Sequence, residues 1–138
     1  MKSLHTLLKV AQRRMDECGV EAARLQQEID ALHDKQSAII ERERQEIAMA
    51  HNNPQFVGML PAYRLRVKWQ IDEAQQEGRH LAAQLEEVRA RLQEAYVEKS
   101  KFEQLIEQER LRAEADKAAR EQAMLDEVAI NRAGSTSK

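Results

Sequence analysis

The chain has 138 residues, of which 42% are hydrophobic, 33% charged and only 4% aromatic, and its formal charge is -2 with acids and bases interleaved. A globular domain of this length would bury several large rings and use more glycine than the four present, so a thick core is excluded. So weak a net charge raises no field to gather phosphates or an anionic bilayer, which sets nucleic-acid and membrane-surface functions aside.

The amino end, Met1-Lys2-Ser3-Leu4-His5, leads directly into charged helix without the apolar run of a signal peptide. No stretch approaches the roughly 20 apolar residues of a membrane span, so a cytoplasmic protein without direct membrane insertion is expected.

Residues 1–50 read as a first coiled-coil arm. One row runs Leu4, Ala11, Cys18, Leu25, Leu32, Ile39, and its companion runs Leu8, Met15, Ala22, Ile29, Gln36, Glu43. Seven-residue spacing in two interlocked rows is the seam of a left-handed coiled coil, because 3.5 residues per turn keeps both rows facing one partner. Ala11, Cys18 and Ala22 are small, so close approach is expected near the amino end, whereas Gln36 and Glu43 weaken the seam toward the turn. Cys18 is the only cysteine, which excludes an internal disulfide and a cysteine metal cluster; its heptad position predicts a small buried residue rather than a reactive thiol.

Residues 51–61 hold both prolines of the chain, paired asparagines and Gly58. The residue before each proline is pushed from helical geometry, so the chain is expected to reverse here. Phe56, Met59 and Leu60 would then either plug the end of the hairpin or stand exposed as a docking surface.

Residues 62–132 form a second, longer arm carrying Val67, Ile71, Ala74, Gly78, Leu81, Leu85, Val88, Leu92, Ala95, Lys99, Phe102 and Ile106. Gly78 amid such periodicity costs roughly 0.8 to 1 kcal/mol relative to alanine and reads as a place of close contact. Antiparallel pairing around the turn sets Ile47 near Tyr63, Cys18 near Leu92 and Leu4 near Ile106. Beyond Ile106 the phase slips, and the row resumes as Leu111, Ala115, Ala118, Leu125 and Ala129. About 25 residues there, roughly 40 Å of helix, find no partner in the same chain. An isolated helix of that size is marginal in water. The row points to a partner from outside, against a frayed amphipathic end or a dimer contact. Residues 133–138 read as a disordered tail with nothing to bury.

The expected fold is therefore all-α, an antiparallel two-helix coiled-coil hairpin with unequal arms. No catalytic residue, metal site or cofactor is expected. His5, His33, His51 and His80 are scattered without ligand spacing, and neither a phosphate-cradling loop nor a nucleophile with a nearby base is present. The mixed run from Glu41 to Glu46 reads as a solvated helix face. Trp69 falls off the seam rows, either at a contact site or folded across the hairpin flank. With Tyr63, Arg64, Arg66 and Lys68 it makes the start of the second arm the most positive and aromatic patch, suited to a protein partner with an acidic surface. These basic clusters are too short for a DNA-reading zipper.

The segments Leu4-His5-Thr6-Leu7-Leu8-Lys9-Val10-Ala11, Ile71-Asp72-Glu73-Ala74-Gln75-Gln76, Lys99-Ser100-Lys101-Phe102-Glu103-Gln104-Leu105 and Arg120-Glu121-Gln122-Ala123-Met124-Leu125-Asp126-Glu127 carry a resemblance. In their order and in the hairpin layout the chain resembles the flagellar export protein FliJ family, in an alphaproteobacterial style. The resemblance implies a soluble, non-enzymatic stalk of the flagellar type III export apparatus, peripheral to the inner membrane. Its terminal helices would enter the ring of a hexameric flagellar export ATPase, and the remainder would meet the cytoplasmic domain of the membrane export gate and the export chaperones. The family's gate-binding stripe falls on Val67, Ile71, Ala74 and Gly78, with a matching stripe near Ile39, Arg42 and Glu46. Relatives tend to have tyrosines on that second stripe, so Arg42 and Glu46 depart from the pattern, and packing inside the hairpin also accounts for the first. The full set of expected partner-binding residues is Val67, Trp69, Ile71, Ala74, Gly78, Phe102, Leu111, Ala118 and Leu125. A stalk of a virulence type III secretion system, or a generic homo-oligomeric scaffold, shares the same architecture.

Overall fold

A computed structural model describes residues 2–136. Helix α1 spans Lys2–Asn52, a short 3-10 helix spans Pro54–Met59, and helix α2 spans Leu60–Thr136. Both long helices are rich in Ala, Leu, Glu, Gln and Arg, whose side chains lose little freedom on a helix, and neither contains an interior proline beyond the first turn. The two helices pack against each other, α2 is the longer, and no strand occurs among the described residues. The chain is thus an all-α helical hairpin.

Asn53 is the only described residue outside a helix. Its backbone is extended, with φ -134° and ψ 88°, as the following Pro54 requires. It also satisfies the end of α1, donating its backbone N–H to the Ala50 carbonyl at 3.2 Å and its side-chain Nδ2 to the Met49 carbonyl at 3.1 Å. At the second proline the expectation of a break is corrected. Leu60 is right-handed helical (φ -60°, ψ -46°), and Pro61 lies in the first turn of α2, where the missing N–H has no helical acceptor in any case. Gly58 does not adopt positive φ, so the reversal uses no left-handed residue among those described.

The chain divides into two compact units. Within Arg14–Glu94, Leu25, Leu81, Leu85 and Val88 form a buried cluster against which Cys18, Ala22, Ile29 and Leu32 pack. Leu25 and Val88 are each only 1% exposed, so each contributes about 1.5 to 3 kcal/mol of burial. Cys18 is half-buried rather than fully enclosed. Leu32 lies opposite Gly78, on the register that pairs Cys18 with Leu92. A methyl group at Gly78 would meet Leu32 Cδ2 at 3.5 Å, an ordinary contact distance. The arms are thus in contact at this point, although glycine is not required for their approach. Arg91 reaches across the hairpin to Glu21 at 3.9 Å, a solvent-exposed pair of little weight.

The other unit joins the residues up to Arg13 with those from Ala95 on. Ala11 and Ala95 are buried, and Leu4, Leu8, Phe102 and Ile106 are half-buried along the same two rows. Lys99 occupies a seam position by laying its stem along the row while its ammonium meets Glu103 at 3.6 Å. From Arg110 to Ser135 every residue is exposed, yet α2 continues to Thr136. Residues 133–136 are thus helical where a disordered tail is expected from composition. Once a helix is nucleated, each further residue adds a hydrogen bond at small cost, and no proline interrupts it. The rest of that expected tail, Ser137 and Lys138, lies outside the described residues.

Candidate partner-binding surfaces

Within Arg14–Glu94 the seam loosens where its positions become polar. Between Leu25 and Ala50 no residue of α1 is buried, and Gln36 and Glu43 are only half-covered. Amide and carboxylate groups at seam positions keep part of their water rather than desolvate unpaired. Toward the turn a groove of 680 Å³ is lined by Lys35, Ile39, Arg42, Tyr63, Arg66, Val67, Gln70, Glu73, Ala74 and Glu77. Its floor is apolar and its rim carries both charge signs. A smaller groove of 240 Å³ next to the turn is lined by Glu46, Met49, Ala50, Phe56, Met59, Leu60, Tyr63 and Arg66. The hairpin so brings Ile39 and Arg42 of one stripe together with Val67 and Ala74 of the other, and sets Glu46 in the adjoining groove.

Val67 and Ala74, at 6% and 5% exposure, form the floor of the larger groove and also pack the seam. Ile71 and Gly78 are half-buried on the same row, Gly78 lining a third groove beside Leu32 and His33. Trp69 is 62% exposed, so it does not fold across the hairpin flank. The 3-10 helix buries none of its residues; of the three apolar residues expected at the turn, Phe56 and Met59 stand exposed and Leu60 is half-buried, and all three line the smaller groove.

In the unit that contains Ala95 and the rest of α2, Phe102 is half-buried, whereas Leu111, Ala118 and Leu125 are exposed, Leu125 at 65%. Met124, Val128 and Ile130 are also exposed on this part of the helix. Sequence reasoning misses these three because they fall off the single heptad row; the four-residue step from Met124 to Val128, parallel to Leu125 and Ala129, is the available signal.

Charged side chains pair along the surface of this unpacked helix. Arg110 donates from Nε and Nη2 to both Glu107 oxygens at 3.1 and 2.7 Å and from Nη1 to Glu114 at 2.7 Å, and Gln122 donates to Asp126 at 3.0 Å. The hydrogen bonds from Arg110, with its charge, hold the Glu107 carboxyl below its usual range. On α1 the bidentate Arg44 does the same for Glu41. Elsewhere on the surface the His80 ring lies 3.3 Å from the Gln84 amide. Among the described residues no group of three His, Cys, Asp or Glu side chains is placed to hold a metal ion, and no helix is long and apolar enough to cross a membrane.

Two packed antiparallel helices, a groove between them toward the turn, and exposed apolar side chains on the longer helix together define a coiled-coil protein. The chain belongs to the FliJ family, described as flagellar FliJ protein, whose family model matches residues 1–138. It is accordingly a flagellar export-related coiled-coil protein. No curated protein matches the chain, and no solved structure matches it.

Proposed function

We propose that this protein is a non-enzymatic stalk of the flagellar type III export apparatus, acting in the cytoplasm at the inner-membrane export machinery. The observation that carries this reading is the family match over the whole chain. Residues 4–14 and 107–132 insert into the hexameric export ATPase ring, with Leu111, Ala118 and Leu125 as contacts and Phe102 as a partner contact just before the inserted segment. The larger groove, where Val67 and Ala74 lie with Ile39 and Arg42, meets the cytoplasmic domain of the export gate, and Ile71 and Gly78 extend the same row. Export chaperones are the third class of partner.

The exposed row beyond Ile106 supports the ring contact physically. Each apolar side chain there is hydrated in the isolated chain, so a surrounding protein wall gains its burial without first breaking a core. A single stalk gives each of six like subunits a different contact, and differential affinity biases their nucleotide states; a tenfold difference corresponds to about 1.4 kcal/mol. Adding the purified protein to the matching ATPase should raise its oligomerisation and turnover. Removing residues 107–138 should abolish both effects, and an ATPase indifferent to the full-length chain would refute the reading.

A further inference from the structure

We propose that the turn end of the hairpin docks onto an anionic lipid surface. The whole chain is nearly neutral, but its charge is not evenly spread. It carries 24 acidic residues, about one in six, yet none lies between Glu46 and Asp72, where Arg64, Arg66 and Lys68 fall. Among the described residues none of these three cations has an ion-pair partner, whereas Arg24, Arg44, Arg89, Arg91, Lys99 and Arg110 all do. The same acid-free stretch holds three of the chain's five aromatic residues, Phe56, Tyr63 and Trp69.

The placement of the side chains selects a fluid surface over a shaped partner. Val67 faces the seam, so helical geometry turns Leu65 and Trp69, one turn apart, to the opposite side. Arg66 flanks that apolar pair on one side, and Arg64 with Lys68 flanks it on the other. An apolar strip with cations on both margins is the arrangement of a helix lying in a bilayer interface, where the stems cover hydrocarbon and the charges reach lipid phosphates. Phe56, Val57 and Met59 add exposed apolar side chains at the turn, Phe56 and Met59 also edging the smaller groove. Val57, Leu65 and Trp69 line neither groove, so a peptide seated in a groove would leave them exposed. A membrane surface covers them all, and Trp and Tyr are the rings that favour its headgroup level. None of these residues belongs to the segments 4–14 and 107–132 assigned to the ATPase, so the lipid contact stands or falls separately from that assignment.

Trp69 is the only tryptophan and reports directly on docking. Titrating the full chain with vesicles of phosphatidylglycerol in phosphatidylcholine should shift its emission to the blue, with quenching by brominated lipids and co-sedimentation. Vesicles of phosphatidylcholine alone should give neither, and high salt should release the protein. The variant R64Q/R66Q/K68Q should lose about a hundredfold in partitioning, from the loss of three charges near the lipid surface. The variant F56S/M59S should lose binding while its helical circular dichroism is retained. Absence of a blue shift and of brominated-lipid quenching in the wild-type chain with anionic vesicles would overturn the proposal, as would equal binding to both vesicle types. A Trp69 shift on adding poly-glutamate but not vesicles would assign the surface to an acidic protein and overturn it as well.

Discussion

Replacing Gly78 by alanine tests whether the seam is loose or tight at its centre. Glycine inside a helix costs about 0.8 to 1 kcal/mol relative to alanine, because the unfolded chain has more backbone freedom to lose. A methyl group built at Gly78 meets Leu32 Cδ2 at 3.5 Å, so it enters ordinary contact without moving the leucine. Partial burial of that methyl adds a few tenths of about 0.8 kcal/mol, for a total gain of about 1 to 1.5 kcal/mol. Gly19 supplies the reference, since it also lies inside a helix and a methyl there would meet nothing within 4 Å. Gly19→Ala should therefore gain the backbone component alone, about 1 kcal/mol. In thermal melts followed by circular dichroism each variant should melt about 2 to 8 °C above wild type, with Gly78→Ala equal to or above Gly19→Ala. A melting point for Gly78→Ala below wild type, with Gly19→Ala above it, would refute the reasoning and restore glycine as a requirement of close approach.

Two further perturbations address the core and the charged helix surface. Leu25→Ala removes a side chain that is 1% exposed from the main cluster and should lower stability by about 3 kcal/mol in urea titrations; a loss under about 1 kcal/mol would mean that the arms close over the cavity. The Glu107 carboxyl titrates below its ordinary value of about 4.5 because Arg110 hydrogen-bonds to it, so its contribution to the helix is complete above that pH and disappears as pH falls through the lowered folded value. Carboxyl NMR titration should give a midpoint for Glu107 that rises in Arg110→Ala, and an unchanged midpoint would show that the pair does not form in solution.

Much of the hairpin is legible in the sequence because the heptad rows encode both which face is buried and which arm lies opposite. Leu32 and Gly78 meet on the register that the apolar rows imply. The weakening of the seam toward the turn is legible as well, since Gln36 and Glu43 stand at seam positions and are only half-covered. Local rules mislead where a chain feature admits more than one use. Pro61 reads as a break but equally suits the first turn of a helix, and it serves that second purpose. The expected tail is helical through Thr136 because composition reports how little can be buried, whereas propagation depends on the helix already formed before it. Periodicity likewise marks Leu111 and Leu125 as an apolar row, but exposure also extends to Met124, Val128 and Ile130, which no single row joins. Val67 and Ala74 show the opposite ambiguity, since one row both packs the hairpin and floors the groove.

The simplicity of the reversal frees its side chains. One extended asparagine and a short 3-10 helix bring the chain around, with no left-handed backbone and open space about Gly58. Folding consequently places few demands on what the apex displays. Larger, oilier or more basic substituents can be tried at Gln55, Val57, Gly58 or Met59 without spoiling the bend, so variation there tunes adhesion while architecture stays fixed. An apex of this kind can acquire new attachment properties more readily than any position along the buried rows.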